Sequence, residues 1–264
     1  MSQPRGKCIF CGEPGLSKGH VWPDWLKNIL PTTATHHEVT TGYFATFEPE
    51  VPGPPKTIEE KHGPARSRKP RNTCKKCNSG WMSGIENAAI RFAPPLIKGE
   101  DFQLTEEAQR TLAAFFCLIT MRLQFLGAMR PIPAWDRLYL KEHLEPPPLW
   151  FVWIAEYIGE KPDDHWSRFC GLQVVSPNDS TPADKIGTDY CNTQCTTLVI
   201  GKLCVHLFSS TVDPVLGYEG IRLSQIWPRS GFALNTAFLP TIADDRVIAL
   251  HESVAANSVP LRRV

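Results

Sequence analysis

Two Cys-x-x-Cys turns, Cys8-Ile9-Phe10-Cys11 and Cys74-Lys75-Lys76-Cys77, constrain this chain more than any other feature. Each turn presents two thiolates from one tight loop, and two turns complete the tetrahedron that zinc favours. Gly12 follows the first turn and Asn78 the second, residue types that suit a tight knuckle. The span between the turns exceeds that of a zinc ribbon, so a sizeable segment is threaded between them. The competing reading is two unrelated pairs of core or redox cysteines. Five more cysteines lack such pairing. Cys191 and Cys195 have no second pair nearby, and Cys117, Cys170 and Cys204 lie in apolar runs, as core thiols do. With nine cysteines, an odd count, and no apolar leader at the start, reduced thiols and metal ligands are expected, in a soluble cytoplasmic protein.

Apolar residues make up 42% of the chain, enough for a sizeable core. The net charge of +1 points to no partner, but its distribution does. Residues 1–100 carry 14 Lys/Arg against 9 Asp/Glu, and the remainder carries 14 against 18. Lys61, Arg66, Arg68, Lys69, Arg71, Lys75 and Lys76 form a run without one acid. Such a run repels itself unless it is solvated or meets a polyanion. It is read as an arm that grips phosphates independently of base sequence, with a solvated linker as the alternative.

No internal repeat is present. Asp24 is placed to cap a short helix through Leu30, stopped by Pro31. Residues 31–72 lack helical periodicity; residues 48–55 are a loop by composition, and Gly42–Phe47 is a candidate strand. A helix is expected from Cys77 to about Phe92, or from a capping box at Ser83 and Glu86. Thr105, followed by Glu106 and Glu107, starts the clearest helix, running to about Leu126. Its apolar stretch Leu112–Met121 is too short for a bilayer and is expected to be buried, so no membrane partner is expected. Trp150–Tyr157, Phe169–Val175 and Thr196–Ser209 are β-rich, the last with a hairpin at Gly201-Lys202. The fold class is therefore α+β, with a zinc-braced module over 1–100 and a helix-plus-antiparallel-sheet domain over 101–264. The long helix is free to pack back on the zinc module. Trp150, Trp153, Trp166 and Trp227 are expected in the core rather than as base-stacking platforms, and Asp163, Asp164 and His165 form no recognisable site.

The ordered set Cys8–Cys11, Ser17-Lys18-Gly19-His20-Val21-Trp22-Pro23 and Asn72-Thr73-Cys74-Lys75-Lys76-Cys77-Asn78 resembles the HNH, or His-Me finger, endonuclease family. The resemblance covers roughly residues 8–92. It implies a ββα-metal module in which two strands and a helix clasp one catalytic ion while the knuckles brace it. His20 matches the general base, Asn72 the residue that orients it, and Asn78 the ligand of the catalytic Mg²⁺ or Mn²⁺. Cys8, Cys11, Cys74 and Cys77 would hold structural Zn²⁺. Lys18, Arg66, Arg68, Lys69, Arg71, Lys75 and Lys76 would grip the nucleic acid, with DNA expected ahead of RNA. Most of the family carries Asp or Glu before the catalytic His, where this chain has Gly19; Lys18-Gly19-His20 is closer to the nonspecific nucleases with an Asp-Arg-Gly-His motif, in which one Asn holds the ion. Glu86 is a candidate contributor through water. His36, His37 and His62 are read as loop residues. Two rival readings remain: an inactive zinc-knuckle nucleic-acid-binding protein, and a purely structural zinc module. The oligomeric state, a homodimer included, is left open.

Overall fold

The computed structural model describes residues 6–31, 36–41, 57–62, 69–127, 130–162, 164–172, 191–211 and 222–257, with the backbone alone for 36–41, 57–62, 172 and 251–257. The first half is organised by one short antiparallel pair. Strand β1 (Leu16–Ser17) follows the first cysteine turn, and its residues Leu16 and Ser17 pair with Cys74 and Thr73. Strand β2 (His36–Thr41) and strand β3 (Thr57–His62) form a separate hairpin, His36 opposite His62. His36, His37 and His62 therefore lie on strands and not in the loops expected of them; β-branched residues such as Val39, Thr41, Thr57 and Ile58 suit the pairing. The Gly42–Phe47 strand and the 48–55 loop lie outside the described residues. Asp24 opens a 3₁₀ turn, Asp24–Asn28, with Pro23 at its N-cap position; its carboxylate takes Lys27 Nζ at 2.6 Å instead of capping the turn.

Strand β4 (Thr73–Cys74) runs directly into helix α1 (Lys75–Cys77), where Cys74 Sγ accepts the Cys77 N–H at 3.4 Å. A wide turn over Asn78–Met82, kinked at Gly80, leads into helix α2 (Ser83–Ala89). Ser83 forms no capping box, because the chain is already helical before it. Helix α3 (Ala93–Lys98) accepts Pro94 and Pro95 in its first turn, where no N–H is required of them.

After strand β5 (Gln103–Leu104), helix α4 (Glu106–Leu123) is the centre of the molecule. Thr105 caps it by accepting the Ala108 N–H at 3.3 Å, and Glu106 and Glu107 face the positive end of its dipole. Every residue from Leu112 to Leu123 is buried, which explains an apolar run with no polar side. One flank packs on α2, the other on the sheet described below, so one hydrophobic core runs from Cys8 to Ile226. Helix α5 (Ala134–His143), not expected from the pattern, closes over the first cysteine turn: Arg137 donates to the carbonyls of Ile9 at 2.9 Å and Ile132 at 2.6 Å.

Strands β6 (Trp150–Tyr157), β7 (His165–Leu172), β8 (Thr193–Ile200), β9 (Leu203–Ser210) and β10 (Ser224–Trp227) form an antiparallel sheet in the order β10-β6-β9-β8-β7. Strand β11 (Leu234–Asn235) pairs with β5, and strand β12 (Thr241–Ile242) pairs with β6 in parallel, a departure from the antiparallel expectation. One face, with Val152, Ile154, Val205 and Leu207, joins the core around α4; the other carries Trp153, Cys170, Cys195 and Phe208 and meets helix α6 (Asp244–Asn257) on β7 and β8. Cover on both faces makes β8 and β9 buried throughout. Gly201 turns the hairpin at φ +59°, and a Cβ there would stand 2.5 Å from the Ile97 carbonyl, so the turn seats on α3 only as glycine. Trp150 and Trp153 are core residues, while Trp166 and Trp227 are half-buried.

Trp150 Nε1 donates to Asp136 Oδ2 at 2.7 Å. Burial lifts the Asp136 carboxyl to about 6, against the Trp150 hydrogen bond and the Arg137 charge. A carboxyl raised on folding contributes stability below its unfolded pKa and loses it as pH rises through the folded value. Asp136→Asn should therefore flatten the dependence of melting temperature on pH between about 4 and 6. An unchanged slope in a thermal-unfolding series would contradict this.

Candidate metal centre and active site

The β1–β4 pair brings the two cysteine turns together. The Cys8 N–H donates to Glu13 O at 2.9 Å, the Gly12 N–H to Cys8 O at 2.9 Å, and the Ile9 N–H reaches across to Asn72 O at 2.9 Å. The sulfurs of Cys8, Cys11, Cys74 and Cys77 consequently lie within 4.8 Å of one another, with Cys11 and Cys74 at 3.6 Å. Zn–S bonds of about 2.3 Å in a tetrahedron put sulfurs roughly 3.8 Å apart. Cys8, Cys74 and Cys77 are buried and Cys11 half-buried. Burial pushes the Cys11 and Cys77 thiols up; burial works the same way on Cys8, but backbone hydrogen bonds from Cys74, Phe10 and Cys11 bring it down. A coordinated cation deprotonates such thiols outright. The four-cysteine group can hold a structural metal ion. Phe10 packs edge-on against Trp81 at 4.9 Å and ties the first turn to the helical segment after the second.

From β1 the chain continues into Lys18-Gly19-His20, fastened where the Gly19 N–H meets Pro70 O at 3.4 Å. Gly19 is buried against the Asn78 side chain. A Cβ on residue 19 would stand 2.7 Å from Asn78 Oδ1 and 2.6 Å from Arg122 Nη2. Groups far apart in sequence thus meet at one point: the residue beside His20, the residue after Cys77, and a guanidinium from α4. His20 is about one-third exposed, and its Nε2 stands 4.0 Å from Asp24 Oδ1. The Lys27 hydrogen bond holds the Asp24 carboxyl below its ordinary range, so it stays anionic beside the imidazole.

Asn72 is buried, and neither Oδ1 nor Nδ2 has a hydrogen-bond partner among the described residues; its main-chain carbonyl makes the visible contact, accepting from Ile9. Glu86 reaches toward α4, with Oε1 3.6 Å from Arg122 Nη1. Burial raises Glu86 and Arg122 opposes that; burial likewise brings Arg122 down to about 10, with Glu86 opposing. Lys18, Lys69, Arg71, Lys75 and Lys76 are exposed, whereas Arg66 and Arg68 lie outside the described residues. His165 is buried with its ring edge-on to Trp22 at 5.0 Å, joining β7 to the first half; Asp163 lies outside the described residues.

Sequence reasoning missed two of these groups. Asp24 stands four residues after His20, a spacing that a turn of helix would have brought to notice. Arg122 merely bounds an apolar run, and only packing reveals where its guanidinium goes. Among the described residues, no helix is long and apolar enough to cross a membrane. Comparison with family models, curated proteins and solved structures finds no match to this chain.

Proposed function

We propose that this protein is a zinc-braced, metal-dependent endonuclease of the HNH type, hydrolysing phosphodiester bonds of nucleic acid, with DNA as the expected substrate. The observation that supports the reading is the meeting of Gly19 with Asn78, which brings the residue next to His20 against the Asn78 side chain. The tetrathiolate group fits zinc by donor type and spacing. Asn78 Oδ1 is a hard oxygen donor of the kind Mg²⁺ or Mn²⁺ accepts, and such an ion supplies charge to the phosphate as negative charge develops there.

The chain's own residues do the rest. His20 takes a proton from the attacking water as its oxygen closes on phosphorus and the bond to the leaving oxygen breaks. Asp24, anionic beside the ring, stabilises the imidazolium that this step creates. Lys18, Lys69, Arg71, Lys75 and Lys76 are available to hold the flanking backbone, and Arg66 and Arg68 extend the same run in sequence. A second reading, a nucleic-acid-binding protein without catalysis, draws on the Arg122 cation packed where residue 19 would otherwise extend a ligand.

Incubating the zinc-loaded protein with supercoiled plasmid, and separately with single-stranded RNA, decides between them. The endonuclease reading expects cleavage in Mg²⁺ or Mn²⁺ and none in EDTA; retention of nucleic acid without cleavage in any metal supports the binding protein. A companion prediction concerns the arm. Replacing Arg66, Arg68 and Arg71 together with Ala should weaken binding about equally across sequences and lower the slope of log K against log salt by about 3. An unchanged slope would make the run a linker.

A further inference from the structure

Arg122 presents an unusual combination for an arginine. Its side chain is 1% exposed, and its Nε and Nη2 have no hydrogen-bond partner among the described residues. Its charged neighbour, Glu86, approaches Nη1 at 3.6 Å, beyond hydrogen-bonding distance. Buried guanidinium groups ordinarily have their donors satisfied, so a group left this way calls for a role. Nη2 points to the place where a side chain on residue 19 would begin, and Asn78 Oδ1 points to the same place.

We infer that Arg122 is a positioning residue of the candidate active site: a built-in cation, delivered by α4, that fills the socket left by Gly19 and sets the charge felt by an ion at Asn78. The inference rests on the assignment of Asn78 as the ion's ligand. Glycine at 19 is what admits the guanidinium, since even a methyl group would collide with it and with Asn78. A fixed positive charge at this spot repels a divalent cation, and shielding is weak because Arg122 is cut off from solvent. Glu86 offsets part of that charge from the Nη1 side, away from Asn78. Divalent binding is therefore weak in the free protein and strengthens only when phosphate oxygens bring negative charge of their own. The device ties ion loading to the presence of the polyanionic substrate.

The test is Mn²⁺ binding to zinc-loaded protein without nucleic acid, followed by the electron paramagnetic resonance of free Mn²⁺. Arg122→Gln should bind Mn²⁺ about tenfold tighter or more than the parent, because a nearby like charge has gone. Arg122→Lys should stay close to the parent, because the charge remains. Folded Arg122→Gln with parental Mn²⁺ affinity would overturn the inference. If that variant does not fold, Arg122→Met combined with Glu86→Gln takes its place; it leaves no buried ion unpaired and is held to the same tenfold, since the cation is the member that faces Asn78. Cleavage assays run alongside separate the two ideas. Tighter Mn²⁺ binding in Arg122→Gln with no cleavage in any form removes the enzyme and keeps only the charge effect of Arg122 on an ion at Asn78, whereas cleavage with unchanged Mn²⁺ affinity in folded Arg122→Gln removes this inference alone.

Discussion

Cys74→Ser is expected to abolish metal binding at the four-cysteine group and to unfold much of the first half of the protein. Cys74 has three roles at once. It belongs to the four-sulfur group, it pairs with Leu16 in the strand pair, and its sulfur accepts the Cys77 N–H at the start of α1. Serine preserves the strand pairing, and its hydroxyl is itself a good N-cap, so the variant isolates the loss of a thiolate. Structural zinc binding is worth roughly 10–16 kcal/mol in small zinc modules, comparable with the roughly 5–15 kcal/mol that holds a whole domain together. Around the sulfurs Ile9, Phe10, Val21, Trp22, Met82 and Ile85 are buried in the same core that packs on α4, so loss of the metal is expected to loosen the end of that core nearest the cysteines. Elemental analysis of the parent should find one zinc per chain, and limited proteolysis should cut Cys74→Ser within residues 1–100 first. Parent protein without zinc, prepared without chelator, would contradict the assignment, as would Cys74→Ser with parental protease resistance.

Features written in local chemistry were legible before the structure was known. Two cysteine turns announce a thiol cluster because their spacing is itself the ligand geometry, and the four sulfurs converge. Thr105 with Glu106 and Glu107 announces α4, and the β-rich run Trp150–Tyr157 is β6 to the residue. The Gly201-Lys202 hairpin follows from two apolar runs around a two-residue turn. What escaped is what packing decides. Helix α5 has no apolar stripe strong enough to declare it; its Asp136 and Arg137 are buried because they bind Trp150 and the Ile9 carbonyl, partners outside the helix itself. The short strands β5, β11 and β12 exist through pairing rather than propensity. Gly19 stands in the sequence where most of the resembling family carries an acid; that a Cβ there would stand 2.6 Å from Arg122 Nη2 is a matter of packing that no local pattern could have indicated.

His20→Ala is expected to stop cleavage while leaving the fold intact. The imidazole is partly exposed and stands in no hydrophobic cluster, so stability rests on the thiol centre and on the core around α4 rather than on this side chain. Removing a general base typically costs on the order of 100- to 10,000-fold in rate. Asn78→Ala should act differently, weakening divalent-metal binding, with excess Mn²⁺ restoring part of the rate, because the base remains. Asp24→Asn should have a smaller effect than either, since it removes only the charge beside the imidazolium. The account's central claim, that His20 activates water for phosphodiester hydrolysis, is tested most directly by the single-turnover cleavage rate of zinc-loaded, folded His20→Ala beside the parent in saturating Mn²⁺. The account predicts a rate lower by on the order of 100-fold or more, with Mn²⁺ affinity nearly unchanged. Cleavage by His20→Ala at the parental rate would contradict it.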